Sequence, residues 1–98
     1  MSEKQDQRIK ALAFVMKALS HVTRLKILNL LHDNPRTWTQ MQLELKINPK
    51  SLRDHLKYLR DRDLVKKSEP IGFELTHAGK IVLEISMKDI LAVIELDD

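Results

Sequence analysis

The stretch INPKSLRDHLKYLRDRDLV, Ile47 to Val65, decides the reading of this chain. Leu52, Leu56 and Leu59 recur at i, i+4 and i+7, the spacing of one helical face. Lys50, Arg53, Lys57 and Arg60 project from the other side, with Asp54 and Asp61 among them. Asn48 is a strong N-cap residue, and Pro49 falls at the first helical position, where a missing N–H costs nothing. Asp63, a short polar residue that tolerates a left-handed backbone, ends the run. The pattern predicts a helix of about four turns, buried on its leucines and basic on its free side. The major groove of duplex DNA admits such a helix, since its floor presents base edges and its walls are phosphates. A solvated charged face is the plain alternative for any single helix of this kind. The flanking segments decide between the two.

Just upstream, Thr37 to Lys46 reads as a shorter helix. Thr37 with Gln40, or Thr39 with Gln42, fits a capping box, and both pairings stay open. Trp38, Met41 and Leu45 are expected to pack inward, and Lys46 with Ile47 forms a short link. Two short helices joined by a tight turn, the second basic and capped, make a helix-turn-helix over about residues 37–64. Just downstream the period changes to two. Ile71, Phe73 and Leu75 alternate, and Pro70 with Gly72 supplies a turn. Two antiparallel strands, roughly Val65–Ser68 and Gly72–Leu75, are predicted to form a wing over about residues 65–76. Lys66 and Lys67 sit at its base within reach of phosphate, and Glu69 at its tip argues against deep insertion.

Farther out lie three more helical segments. Lys4 to Leu19 reads as a helix with two apolar stripes. Ile9, Leu12, Ala13, Met16 and Leu19 form one, and Ala11, Phe14, Val15 and Ala18 form the second. A surface helix needs only one stripe, so the second is either core or a subunit contact. In ALSHVTRLKILNLL, Ala18 to Leu31, Ser20 is the expected N-cap of a helix burying Leu25, Ile27, Leu28, Leu30 and Leu31. Asp33, Asn34 and Pro35 stop it. Thr76 is expected to cap a last helix over about residues 77–96. Leu83, Met87, Ile90 and Ile94 follow a heptad seam along it, with further apolar residues on other sides. One domain of this size cannot cover all of that surface, so a homodimer is expected, with Phe14, Val15, Leu83, Met87, Ile90 and Ile94 at its interface.

Composition supports one soluble globular domain. The chain has 98 residues, 43% hydrophobic and 32% charged, and no cysteine. Thiolate metal sites, disulfides and a thiol nucleophile are therefore excluded. No apolar run is long enough to span a membrane, and the polar start MSEKQDQRIK is no signal peptide, which fits the cytoplasm. Residues 49–67 hold seven basic against three acidic groups, while residues 84–98 hold one against five. Positive charge concentrated on the decisive helix points to a polyanionic partner there, with the acidic end facing away.

Three stretches carry a resemblance to a known family. ALSHVTRLKILNLL resembles, in its Ala-Leu, Thr-Arg-Leu and Ile-Leu, a segment of the ArsR-type winged-helix regulators. INPKSLRDHLKYLRDRDLV resembles the recognition stretch of that family through its His-Leu and closing Leu-Val. FELTHAGKIV resembles the end of the wing and the opening of the last helix, in the manner of MarR-like proteins. The resemblance spans about residues 9–96. It implies a mainly α fold with a small β-hairpin, a winged helix-turn-helix with N- and C-terminal dimerisation helices, acting as a DNA-binding transcription regulator. The candidate DNA-binding residues are Asn48, Lys50, Ser51, Arg53, Asp54, His55, Lys57, Arg60, Lys66 and Lys67.

The chain departs from the family pattern at four places. Val22 replaces a proline, Lys46 and Asp63 stand where glycine is usual, and Asp54 stands in place of a basic or polar residue. Asp54 either accepts from cytosine N4 or pairs with Lys50 or Lys57 and orients them. His55 is read as partly buried or as a phosphate contact. Members of the family often sense metals through cysteines or Asp/His sets. Here His21, His32, His55 and His77 are widely spaced, and no metal site, cofactor or catalytic set is expected. The expected partners are double-stranded DNA, as a palindromic site, and a second copy of the chain. With no separate ligand domain, any effector would bind in the dimer interface. A protein-interaction module and a non-specific architectural DNA binder are the rival functions, and the basic helix weighs against the first.

Overall fold

The computed structural model describes residues 1–85 and Lys88. In chain order the elements are α1 (Glu3–Ala18), α2 (Val22–Leu30), α3 (Trp38–Leu45), α4 (Pro49–Asp61), β1 (Val65–Lys67), β2 (Phe73–Leu75) and α5 (His77–Ile85). The mainly α architecture with one antiparallel hairpin is the one predicted. The expected seam residues Met87, Ile90 and Ile94, and the acidic end, lie outside the described residues.

Local chemistry sets the helix starts. Ser2 and Gln5 form a capping box that opens α1 at Glu3. At α3 the open choice falls to Thr37 and Gln40, with Gln40 N–H donating to Thr37 Oγ1 at 3.1 Å and Thr37 N–H to Gln40 Oε1 at 2.9 Å. Asn48 caps α4, accepting from Lys50 N–H at 2.7 Å, with Pro49 at the first position. The cap of α2 is a correction: it is His21, not Ser20. The Ser20 hydroxyl is spent on the Lys17 carbonyl at 2.7 Å, closing α1, and His21 Nδ1 accepts from Thr23 N–H at 3.1 Å.

The core joins all five helices to the wing. Leu52, Leu56 and Leu59 of α4 pack with Ile27, Leu28, Leu31, Met41, Leu64, Val65, Leu75 and Leu83. Leu83 corrects its expected place at a dimer interface. It is 2% exposed within the single chain, because α5 turns this side onto its own domain. Both stripes of α1 reach the core only at the C-terminal end of the helix. The second stripe turns inward at Ala18, which is buried, and Val15, which is half-buried. In the first stripe Leu19 packs against the core, while Ile9, Leu12 and Met16 are 50%, 59% and 54% exposed.

The wing is shorter than expected by one residue on each strand, and it has an unforeseen anchor. Val65 pairs with Leu75 and Lys67 with Phe73. On the other edge of β2, Phe73 and Arg36 exchange backbone hydrogen bonds of 3.0 and 2.8 Å. Gly72 sits at φ 112°, and a Cβ there would lie 2.5 Å from the Arg36 carbonyl oxygen, so only glycine fits. The wing is thereby pinned to the loop that precedes α3. Thr76, the expected cap, ties wing to α5: its hydroxyl donates to the Asp63 carbonyl and accepts from Gly79 N–H, and its own N–H donates to the Leu64 carbonyl.

Lys46 and Asp63, where family members usually have glycine, both adopt positive φ, at 53° and 57°. A side chain in this region costs roughly 1–2 kcal/mol, partly offset by the chain entropy that glycine would lose. Lys46→Gly is therefore expected to stabilise the protein by about 0.5–1 kcal/mol in urea unfolding. Destabilisation would mean that the Lys46 side chain holds something in place.

Candidate nucleic-acid interface

Helix α4 presents three faces. Its leucines are buried in the core. Lys50, Arg53, Lys57 and Arg60 are exposed on the outside, with Ser51 exposed in the first turn. Between this helix and the wing runs a groove of about 580 Å³. Arg53, Lys57, Arg60, Lys66 and Lys67 line it, above a floor that includes Trp38, Leu56 and Phe73. Among the described residues, Asp61 and Asp63 are the only carboxylates along it. The wing thus brings Lys66 and Lys67 beside the helix cations, as the sequence suggested.

Half of the six cations on the outer side of α4 and on β1 carry internal partners. Lys50 Nζ lies 3.1 Å from Asp54, Lys57 Nζ 2.8 Å from Asp61, and Lys66 Nζ 3.4 Å from Glu74. The Lys57 hydrogen bond holds the Asp61 carboxyl below its ordinary range. All three pairs are solvent-exposed and therefore weak, so a phosphate can take the lysine at little cost. Arg53, Arg60 and Lys67 have no carboxylate partner among the described residues. Of the two roles open to Asp54, the geometry of the free chain has it paired to Lys50. Asn48 spends its side-chain oxygen on the α4 cap, leaving its amide N–H₂ for other contacts.

The third face of α4 was not anticipated. His55, Tyr58 and Arg62, at i, i+3 and i+7, are half-buried against α1 and α2. The His55 ring lies 4.5 Å from that of His21. The Arg62 guanidinium is 3.3 Å from the Tyr58 ring centre and 4.3 Å from that of Phe14, and Arg24 is 3.9 Å from Tyr58. Phe14, proposed from sequence for a dimer interface, therefore packs on its own chain's Arg62 while half of it remains exposed. Cation–π contacts leave no apolar periodicity, and this is why Tyr58 and Arg62 escaped notice. The one signal available was the spacing of two aromatic rings and an arginine on a helix already crowded with charge. His55 is held below its ordinary pKa, first by burial, then by His21 and Arg24, with Asp54 opposing.

Among the described residues, no group of three or more His, Asp or Glu is placed to hold a metal, and no helix is long and apolar enough to cross a membrane.

Comparison with known proteins agrees with this geometry. Residues 21–67 match the family "Bacterial regulatory protein, arsR family". No curated protein matches the chain. Among solved structures, the transcriptional repressor BigR from Xylella fastidiosa is 22% identical, with a TM-score of 0.79, covering 92% of this chain and 93% of its own. Reduced HlyU from Vibrio cholerae is 24% identical, with a TM-score of 0.74 and coverage of 87% and 94%. The homodimeric winged helix-turn-helix DNA-binding domain of Mb0332 from Mycobacterium bovis is 22% identical, with a TM-score of 0.77 and coverage of 99% and 92%. At these identities the likeness is one of fold. The matched region begins at His21, the cap of α2, and ends at Lys67, the last residue of β1, and so contains the helix-turn-helix and the basic side of the groove. The chain has the winged helix-turn-helix fold, and its residues 21–67 are similar to the ArsR-family domain.

Proposed function

We propose that this chain is a sequence-specific transcription regulator that binds double-stranded DNA as a homodimer. α4 lies in the major groove, and the wing rests on the phosphate backbone. The observation that carries the reading is the convergence of five cations, from α4 and the wing, on one groove. A helix flanked by a basic hairpin matches the width of the major groove and the line of phosphates beside it. Arg53 and Arg60 are seven residues apart, on one side of α4, and can reach base edges. Lys66 and Lys67, on the wing, are placed for phosphate. The homodimer is supported by the exposed Ile9, Leu12 and Met16 and by the homodimeric state of the Mycobacterium bovis relative. A two-fold dimer sets its two recognition helices about 34 Å apart, one turn of DNA, which calls for a palindromic site.

Selection of bound sequences from random duplex DNA at fixed salt tests this reading. Enrichment of a palindrome is the expected result, and binding without enrichment would instead mark an architectural protein. On the enriched site, Arg53→Ala is expected to cost about 1–3 kcal/mol and to relax preference at one base pair per half-site. Lys67→Ala should weaken all sequences alike and flatten the dependence of log K on log salt by about one unit. Equal losses on selected and random DNA for Arg53→Ala would show that Arg53 touches phosphate only.

A further inference from the structure

We propose that the His21–His55 contact is an acid-sensitive latch between α2 and the recognition helix α4. The two imidazoles meet with ring centres 4.5 Å apart, inclined at 55°. One belongs to the cap of α2, and the other projects from the middle of α4. His21 does its capping through Nδ1, whose lone pair accepts from Thr23 N–H. This role requires a neutral ring with its proton on Nε2. A proton on Nδ1 turns the acceptor into a donor facing another donor, and the cap is lost. The imidazolium so formed also sits at the positive end of the α2 dipole.

Burial first, and then neighbouring charge, opposes a proton on His55. His55 has His21 and Arg24 against it from α2, and only Asp54 of its own helix opposes them. Asp54 is itself engaged by Lys50 at 3.1 Å. Burial acts in the same direction and keeps the His55 pKa below its ordinary 6.5. The unfolded chain, free of these neighbours, takes up this proton at higher pH. Stability is therefore fully present above about pH 6.5 and declines as the pH falls below it toward the folded-state value. A proton on His55 works against the packing of α2 on α4, beside the ring that holds the cap of α2. No metal and no ligand is needed. The position of the recognition helix on the rest of the domain then depends on pH.

The test is a pair of variants followed by urea unfolding and NMR between pH 7.5 and 5.5. His21→Asn keeps an N-cap that cannot titrate and removes one partner of the pair. His55→Gln leaves the cap and removes the other. In the wild type, the Thr23 amide resonance should move as the pH falls and His55 takes up its proton. The unfolding constant should rise about fivefold on acidification, the worth of one N-cap, beyond any change the variants share. In His21→Asn the Thr23 amide should stay still and the extra acid sensitivity should vanish. In His55→Gln it should shrink. A Thr23 amide indifferent to pH in the wild type, or the same acid sensitivity in all three proteins, would overturn the latch.

Discussion

Gly79→Ala is expected to cost the fold about 3 kcal/mol, a loss of roughly 12–24 °C in melting temperature for a domain of this size. The cause is backbone, not side chain. A Cβ on Gly79 would lie 2.1 Å from the Leu64 carbonyl oxygen, far inside contact. That carbonyl cannot retreat, because it accepts from Thr76 N–H at 3.1 Å. Nor can the first turn of α5 swing away freely, since Thr76 holds Gly79 N–H at 3.0 Å and the Asp63 carbonyl as well. Relief requires that α5 lift off the end of α4, opening the core at Leu64 and Leu83. Thermal unfolding at a fixed protein concentration measures the loss. An alanine variant that melts within two or three degrees of wild type would show that α5 slides past this contact and that the close approach is not needed.

The second large effect concerns assembly. Leu12→Glu with Met16→Glu places two carboxylates on the exposed stripe of α1. These positions are more than half exposed and lie outside the buried cluster, so the monomer fold should survive. In the homodimer proposed above, they lie where a second copy must cover apolar surface. The double variant should run as a monomer in light scattering. Its affinity for the palindrome should fall by about 10²–10⁴-fold, the gain that joining two half-site readers provides. Its affinity for an isolated half-site should hardly move. A wild type that is monomeric at high micromolar concentration would end the dimer reading, and the spacing of about 34 Å with it.

How much of this was legible in advance depended on how local the cause was. α4 could be read from its leucine spacing and from the Asn48–Pro49 start, because a cap involves residues within three positions. The wing could be read from alternation and from the Pro70 and Gly72 turn. Its anchor could not, since Arg36 meets Phe73 across 37 positions with no signature at either end. Ser20 and His21 both offer an acceptor at the start of α2. Which of them caps depends on where the last carbonyls of α1 come to lie. On α1, two apolar stripes of similar strength leave the inward side undecided until the rest of the domain is in place. A heptad seam says that Leu83 is covered, not by whose side chains. Of the groove, the cations were visible as a run of charge. Their pairing with Asp54, Asp61 and Glu74 had a partial sign in the i, i+4 spacing along α4, and none across the hairpin.

These pairings bear on how such a protein behaves among sites that are not its own. Three of the six cations on the outer side of α4 and on β1, Lys50, Lys57 and Lys66, already have a carboxylate attached. Beyond about 8 Å at physiological salt, such a pair presents almost no net charge. On an arbitrary stretch of duplex, loosely touched, the surface acts as if it held only Arg53, Arg60 and Lys67. On a sequence that lets α4 settle fully, each lysine is brought close enough to exchange its carboxylate for phosphate. A genome offers on the order of 10⁶ or more competing positions, so occupancy of the right one depends on how briefly the wrong ones are held. On the function proposed above, the acidic residues within the recognition surface would shorten those stays, and the time spent away from the target would fall accordingly.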